Sequence, residues 1–348
     1  MRLKAILSGL FCMLTLLLLA GCGNSTSNSG STNDKVVEIE YWHVASDSFG
    51  GQTVRELVAD FNKTHPNIKV TEKFNPDMYK GLTQNLQAAL ASGQTPDVVQ
   101  MGWNFLNYAH ENFETESIDK IFADAGDPNF IKDTFEPNIA RLAQTDTGDQ
   151  VGVPYSLSLP VLYYNPDIFK AAGLDPNKPP TTWTEVAEYA KQIKEKTGNP
   201  AFFMQEYADT WTNQALVESN GGTMLTHKDG KWQAGFDTPE AAYAYQVIAD
   251  MVKNGTGLHA TNEEGFQSFT SGKLAMVATT IGKRANFEKS SNFKVMTTTF
   301  PAFGNKPVKV PAGGNFLMIL SKDKAKQKAA VELSLIHISE PTRLDVIS

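Results

Sequence analysis

Cysteine is almost missing from this chain of 348 residues, with only Cys12 and Cys22 present. No disulfide framework can therefore hold the fold, and thiol chemistry has almost no material to work with. Basic charge is also short: 31 Lys and Arg stand against 38 Asp and Glu, for a net charge of −7. That balance argues against nucleic acid as a partner and against a charge-driven hold on anionic lipid, since both call for a basic face. Histidine is sparse, with six residues scattered singly, so no metal cluster suggests itself and no cofactor is expected. No Gly-x-Ser-x-Gly elbow, His-Glu-x-x-His pair or phosphate loop occurs, which removes the signatures of serine hydrolases, zinc peptidases and nucleotide hydrolases. The longest apolar run, residues 7–19, is 13 residues, short of the roughly 20 that cross a bilayer as a helix.

That run has a purpose of its own. Arg2 and Lys4 precede it and Leu19-Ala20-Gly21-Cys22 closes it, so residues 1–21 read as an export signal to be set aside from the fold. The closing tetrapeptide resembles the bacterial lipoprotein pattern, which implies cleavage before Cys22 and lipid attached to its thiol. Two acyl chains on one residue give the stable anchoring that a single chain does not. Loss of residues 1–21 removes two bases and no acid, so the net charge moves from −7 to −9. Residues 22–35 continue as GNSTSNSGSTND and the residues flanking it, with nothing apolar in that stretch, and read as a flexible tether. At the other end, LSLIHISEPTR (333–343) interrupts a helical pattern. It resembles the translation of a sequencing adapter, so residues 333–348 are expected to be a non-native tail and the natural sequence to stop near Glu332.

The interior has the rhythm of an α/β protein. Residues 36–44 alternate apolar and polar as a strand does. Val54, Leu57, Val58 and Phe61 then mark one face of a helix, and 68–74 reads as a second strand. Leu82, Leu86 and Leu90 line a second helix ended by Gly93, and 98–101 is a short buried strand. Strand and helix in alternation predict a parallel sheet. Residues 154–165 are extended and aromatic. Thr182 with Glu185 predicts a capped helix start. Thr238-Pro239 predicts another, with Tyr245, Ile248, Ala249 and Val252 on its buried face. Residues 274–279 return as a strand. Five Trp, twenty Phe and ten Tyr are material for two cores.

Three stretches carry a family resemblance. They are Leu162-Tyr163-Tyr164-Asn165-Pro166-Asp167 with the following Ala172-Gly173-Leu174 and Thr182-Trp183, then FQSFTSGKLAM (266–276), then VPAGGNFLMIL (310–320). With the YWH start and Thr95-Pro96-Asp97-Val98, these resemble family 1 extracellular solute-binding proteins. That family includes the maltodextrin- and glycerol-3-phosphate-binding subunits of ABC importers. The resemblance implies a type II periplasmic-binding-protein fold: two α/β lobes joined by extended crossings, with ligand in the cleft between them. Carried onto this chain, it puts crossings near 155–164, 276–280 and 312–317. One lobe would take 36–157 plus 280–311 and the other 158–279 plus 312–332, the second being cut short by the early end.

A sugar site needs flat apolar faces against C–H groups and short polar groups for hydroxyls. Open α/β sheets bind ligands on loops at the carboxyl ends of their strands. The candidates are Asp47 after the first strand, Tyr79, Trp103 and Asn104 after the third, and Tyr155, Ser156 and Ser158 on the first crossing. Glu206, Tyr207 and Trp211 resemble a sugar-stacking segment. Thr280 and the pair Gly313-Gly314 follow the later crossings, where glycine either admits a ligand or permits a hinge. The resemblance implies a carbohydrate or polyol as guest, permease subunits as partners, a monomeric state and a place on the extracytoplasmic face of the membrane. Glycerol 3-phosphate or a glycerophosphodiester is the alternative guest. A sensor accessory or an extracellular carbohydrate-active enzyme is a more distant reading.

Overall fold

The computed structural model describes residues 36–205 and 210–339. Cys22, the signal and tether segments, Glu206, Tyr207 and the last nine residues of the tail lie outside them. Two mixed sheets organise the described chain. In the first, β1 (Val37–His43), β2 (Ile68–Phe74), β3 (Val98–Gly102), β4 (Val153–Ser158) and β11 (Gly313–Ile319) stand in the order β2-β1-β3-β11-β4. In the second, β5 (Pro160–Tyr164), β6 (Phe202–Met204), β9 (Met276–Thr280) and β10 (Met296–Thr299) stand as β10-β5-β9-β6. A separate hairpin joins β7 (Leu225–Lys228) to β8 (Lys231–Ala234).

Strand alternation sends side chains of the first sheet into two cores. Ile39, Tyr41, Val98, Leu317 and Ile319 face one core, while Trp42, Val99, Met101, Phe316 and Met318 face the other. The first core is roofed by α1 (Gly51–Thr64), α4 (Ile118–Asp124), α5 (Phe130–Thr134) and α13 (Lys324–Ser339), the second by α2 (Met78–Ala91) and α3 (Leu106–Asn112). The short α6 (Pro137–Ala140) leads into β4. A sheet covered on both faces buries its central strand, and all five residues of β3 are buried.

The second sheet is packed in the same way. Leu162, Tyr164, Phe202, Met204, Met276 and Ala278 face α7 (Pro166–Ala171), α8 (Trp183–Thr197), α9 (Trp211–Ser219) and α10 (Pro239–Lys253). Tyr163, Phe203 and Val277 face α11 (Asn262–Thr270) and α12 (Arg284–Ser290). The capping box expected at Thr182 and Glu185 forms in full, with the Glu185 carboxylate also holding Thr181. These hydrogen bonds keep its pKa below the usual carboxylate value.

Five expectations need correction. Residues 280–311 do not join the first sheet: β10 pairs antiparallel with β5, and Phe287, Phe300 and Phe303 lie in the second sheet's cores. Residues 312–332 do not join the second: β11 pairs with β3 and β4, and α13 puts Ala329, Ala330 and Val331 into the first sheet's core. No crossing therefore follows β9, because both edges of β5 stay paired within the second sheet, by β9 and β10. The buried face of α10 is Ala241, Ala244, Ile248 and Met251, with Tyr245 and Ala249 exposed. Small residues let α10 sit close to α9, and the stripe turns by about one position. Last, α13 does not break at 332 but runs through Ser339, with Leu333 buried in the first core.

Candidate ligand-binding site

The two sheets meet where β4 ends and β11 begins. Here Gly313 pairs with Ser158, Gly314 with Leu157 and Asn315 with Ser156, and a bulge follows between Asn315 and Phe316. Gly314 has φ +99°, and a Cβ there would stand 2.1 Å from the Ser156 carbonyl oxygen. Only glycine fits such a backbone. A Cβ on Gly313 would lie 2.5 Å from Cζ2 of Trp211. The indole of Trp211, the first residue of α9, is thus laid directly on the strand, and its Nε1 donates to the Pro311 carbonyl at 3.1 Å.

Asn315 gathers the first-sheet side of the junction. Its Nδ2 donates to Tyr79 Oη and to Ser156 Oγ, both at 2.9 Å. Tyr79 is delivered by two non-glycine residues in the left-handed region, Asp77 at φ +59° and Met78 at φ +53°. Backbone of this kind costs on the order of 1 kcal/mol per residue. Its ring rests on Gly102, where a Cβ would come within 2.6 Å of Tyr79 Cδ2. Trp103 Nε1 donates to the Ser156 carbonyl at 3.1 Å, and its ring lies 5.5 Å from that of Phe316. On the second-sheet side, the Ser158 and Thr280 hydroxyls are hydrogen-bonded to each other. Thr280 also accepts from the Gly282 N–H at 3.1 Å.

Tyr79, Trp103, Ser156, Ser158, Trp211, Thr280, Gly313 and Gly314 are thus linked in one continuous chain of contacts across the junction. Other sequence candidates stand apart from it. Asp47 is exposed, its side chain 83% accessible, and pairs with Arg55 at 2.6 Å; an ion pair so open contributes little. Tyr155 points into the first core beside Tyr41, where burial pushes its hydroxyl up to about 12. The pleat that turns Ser156 toward the junction turns Tyr155 away from it. Asn104 lies nearer: it is exposed in the helical turn Trp103–Phe105, with its Oδ1 2.9 Å from where a Cβ on Gly102 would stand, beside the Tyr79 ring. Trp103 is only 9% exposed, so it supports Ser156 rather than offering a free face.

Sequence reasoning missed Asn315, whose signal was a polar residue inside an otherwise apolar GGNFLMIL strand. It also missed Lys283. That side chain is 6% exposed, with Nζ 5.1 Å from the centre of the Phe49 ring and 4.7 Å from that of Phe266. Burial pushes its pKa down to about 8, against the opposing pull of Glu263. Phe49 follows β1 and Phe266 lies on α11, so the lysine joins the two halves of the molecule.

Two α/β halves, exchanged twice by the chain and meeting at a polar junction, define a two-lobed binding protein of the type II periplasmic class. The chain belongs to the bacterial extracellular solute-binding protein family, whose pattern matches residues 47–333. Members of this family are substrate-binding proteins of the extracytoplasmic space. Among its relatives is the sn-glycerol-3-phosphate-binding periplasmic protein UgpB of Pectobacterium atrosepticum, 28% identical over 313 residues, covering 85% of this chain and 68% of the relative. The UgpB of Brucella abortus (strain 2308) is 29% identical over 310 residues, covering 85% and 70%. Similar folds occur in UgpB from Mycobacterium tuberculosis in complex with glycerophosphocholine, with TM-score 0.75, 22% identity and coverage of 88% of this chain and 78% of that one. The maltose-bound MalE3 of T. maritima has TM-score 0.73 and 22% identity, covering 87% and 77%.

Proposed function

We propose that this protein captures a neutral sugar or polyol outside the cytoplasm and hands it to the permease subunits of an ABC importer. The observation that carries this reading is the row Tyr79–Asn315–Ser156 and Ser158–Thr280 beside the Trp211 indole. Hydroxyls and an amide suit a polyhydroxylated guest, and an indole face suits its C–H side. Ligand held between the halves would draw them together, and the closed form is the one offered to the permease. The protein works as a monomer, exported by residues 1–21 and held at the membrane through lipid on Cys22, with residues 22–35 as the tether. Glu206 and Tyr207 belong to the same site in this reading. A second reading, glycerol 3-phosphate as guest, is favoured by the relatives named for that ligand.

Thermal unfolding with maltose or glycerol 3-phosphate separates the two. Ligand at about 100 times its Kd adds roughly 2.7 kcal/mol, which raises the melting temperature of a chain this size by about 5 °C. A rise with maltose alone, with a smaller radius of gyration in solution scattering, supports the sugar. A rise with glycerol 3-phosphate alone supports the second reading, and no rise with either sinks both. Trp211→Ala should abolish most of the rise while lowering the ligand-free melting temperature little; equal losses would make Trp211 a core residue.

A further inference from the structure

Asn315 is 4% exposed, yet half of its amide goes unused. Tyr79 Oη and Ser156 Oγ both lie on its Nδ2 side, while Oδ1 is buried and receives no hydrogen bond from the described residues. A buried acceptor left bare is costly and uncommon, and native proteins keep few of them. The backbone around this amide is equally unusual. The bulge opposite the Asn315–Phe316 step leaves Tyr155 of β4 without a partner on β11, while Asn315 itself stays paired with Ser156 and Gly102; such bulges are common near functional sites. Gly314 at φ +99° brings Ser156 close, and the left-handed Asp77 and Met78 precede Tyr79. Three independent local costs converge on one side chain, which is the pattern of a site completed by something else.

We propose that Asn315 is a specificity-determining ligand contact, its Oδ1 accepting a hydrogen bond from a hydroxyl of a neutral sugar or polyol. The inference rests on the solute-binding reading above and names the group that the site recognises. Because Asn315 Nδ2 donates to Ser156 Oγ, the serine keeps its own hydrogen to donate onward. The guest thus meets an acceptor on Asn315 beside a donor on Ser156. A hydroxyl can satisfy both, since it donates and accepts. An ionised phosphate oxygen only accepts, and it would face the lone pairs of Oδ1. The junction therefore selects for a hydroxyl at this point.

The test compares wild type, Asn315→Ala and Asn315→Asp by melting temperature without ligand and by titration with maltose. Removing the bare acceptor offsets the two hydrogen bonds lost, so ligand-free Asn315→Ala should melt within about 2 °C of wild type, while maltose affinity falls about tenfold. Asn315→Asp keeps an acceptor but has no N–H for Ser156 and takes the serine hydrogen instead, so it too should bind maltose more weakly than wild type. Asn315→Ala that melts far lower but binds maltose normally makes Asn315 a purely structural bridge and overturns the inference. An aspartate that binds maltose as tightly as wild type overturns the pairing of an Asn315 acceptor with a Ser156 donor. A wild type that does not bind maltose overturns the neutral-sugar reading and this inference with it. That result is distinct from maltose binding that Asn315→Ala leaves intact, which overturns this inference alone.

Discussion

Lys283 is held where its charge is disfavoured. Two aromatic rings at 5.1 and 4.7 Å replace part of its hydration and soften, without cancelling, the loss of water. Glu263 attracts it through space, Arg284 is its sequence neighbour, and burial still lowers its pKa to about 8. The folded-state value thus lies below the unfolded value near 10.4. Between those two values the unfolded chain binds the extra proton, so stability rises with pH across that window. From pH 7.5 to 9.5 the gain should be about 2 kcal/mol. Tyr41, Tyr155 and Tyr163 have hydroxyls pushed up by burial. Their contribution is present below the unfolded tyrosine value near 10 and is lost only above it, so they leave this window alone. Lys283→Met should be more stable than wild type at pH 7.5 and show a flat profile to pH 9.5 in urea unfolding. A variant that keeps the wild-type slope would assign the effect to another group.

At the scale of elements, the junction depends on two adjacent glycines that act differently. Gly314 is constrained by its own backbone, with φ +99° and the Ser156 carbonyl 2.1 Å from a Cβ. Gly314→Ala should therefore part β11 from β4, costing about 2 kcal/mol or more together with ligand affinity. Gly313 is constrained by its neighbour, since the nearest atoms a Cβ would meet belong to the Trp211 ring, the first at 2.5 Å. Gly313→Ala should lower affinity about tenfold while the melting temperature moves by less than about 2 °C. Calorimetry and titration of both variants check this, and equal damage from the two would remove the distinction. The same scale shows what the sequence made legible. The succession β1–α1–β2–α2–β3 was readable because each helix carries a clear stripe and Gly50, Pro66, Gly93 and Pro96 mark breaks between the elements. Thr182 and Glu185 were readable because capping is local. β10 was not, because four residues reading MTTT have no pattern that names their partner. Tyr155 was misassigned for the same reason: alternation separates it from Ser156, but only pairing with β11 decides which of them faces the junction. Asn315 hid between Gly314 and Phe316 because its role comes from Tyr79 and Ser156, partners far away in sequence that no local pattern announces.

At the scale of the whole molecule, the direction of β1 bears on how the protein is held at a surface. β1 opens at Val37, directly after the proposed tether, and runs parallel to β3. Tyr79, Gly102 and Asn315 gather at the far end of β3, where Asn315 pairs with Gly102. Seven residues of strand span about 23 Å, so the chain enters the sheet at the end opposite the junction. In the proposed reading, lipid on Cys22 supplies the hold on the membrane. No helix among the described residues is long and apolar enough to cross a membrane, and the net charge of −7 gives no pull toward anionic lipid. Cys22→Ser expressed in a bacterial host should therefore leave the membrane fraction for the soluble one, and its purified form should bind the wild-type ligand within about twofold. Persistence in the membrane fraction after a salt wash would mean that something other than the thioether lipid holds the protein. Loss of binding in the released form would mean that the start of the chain takes part in the site.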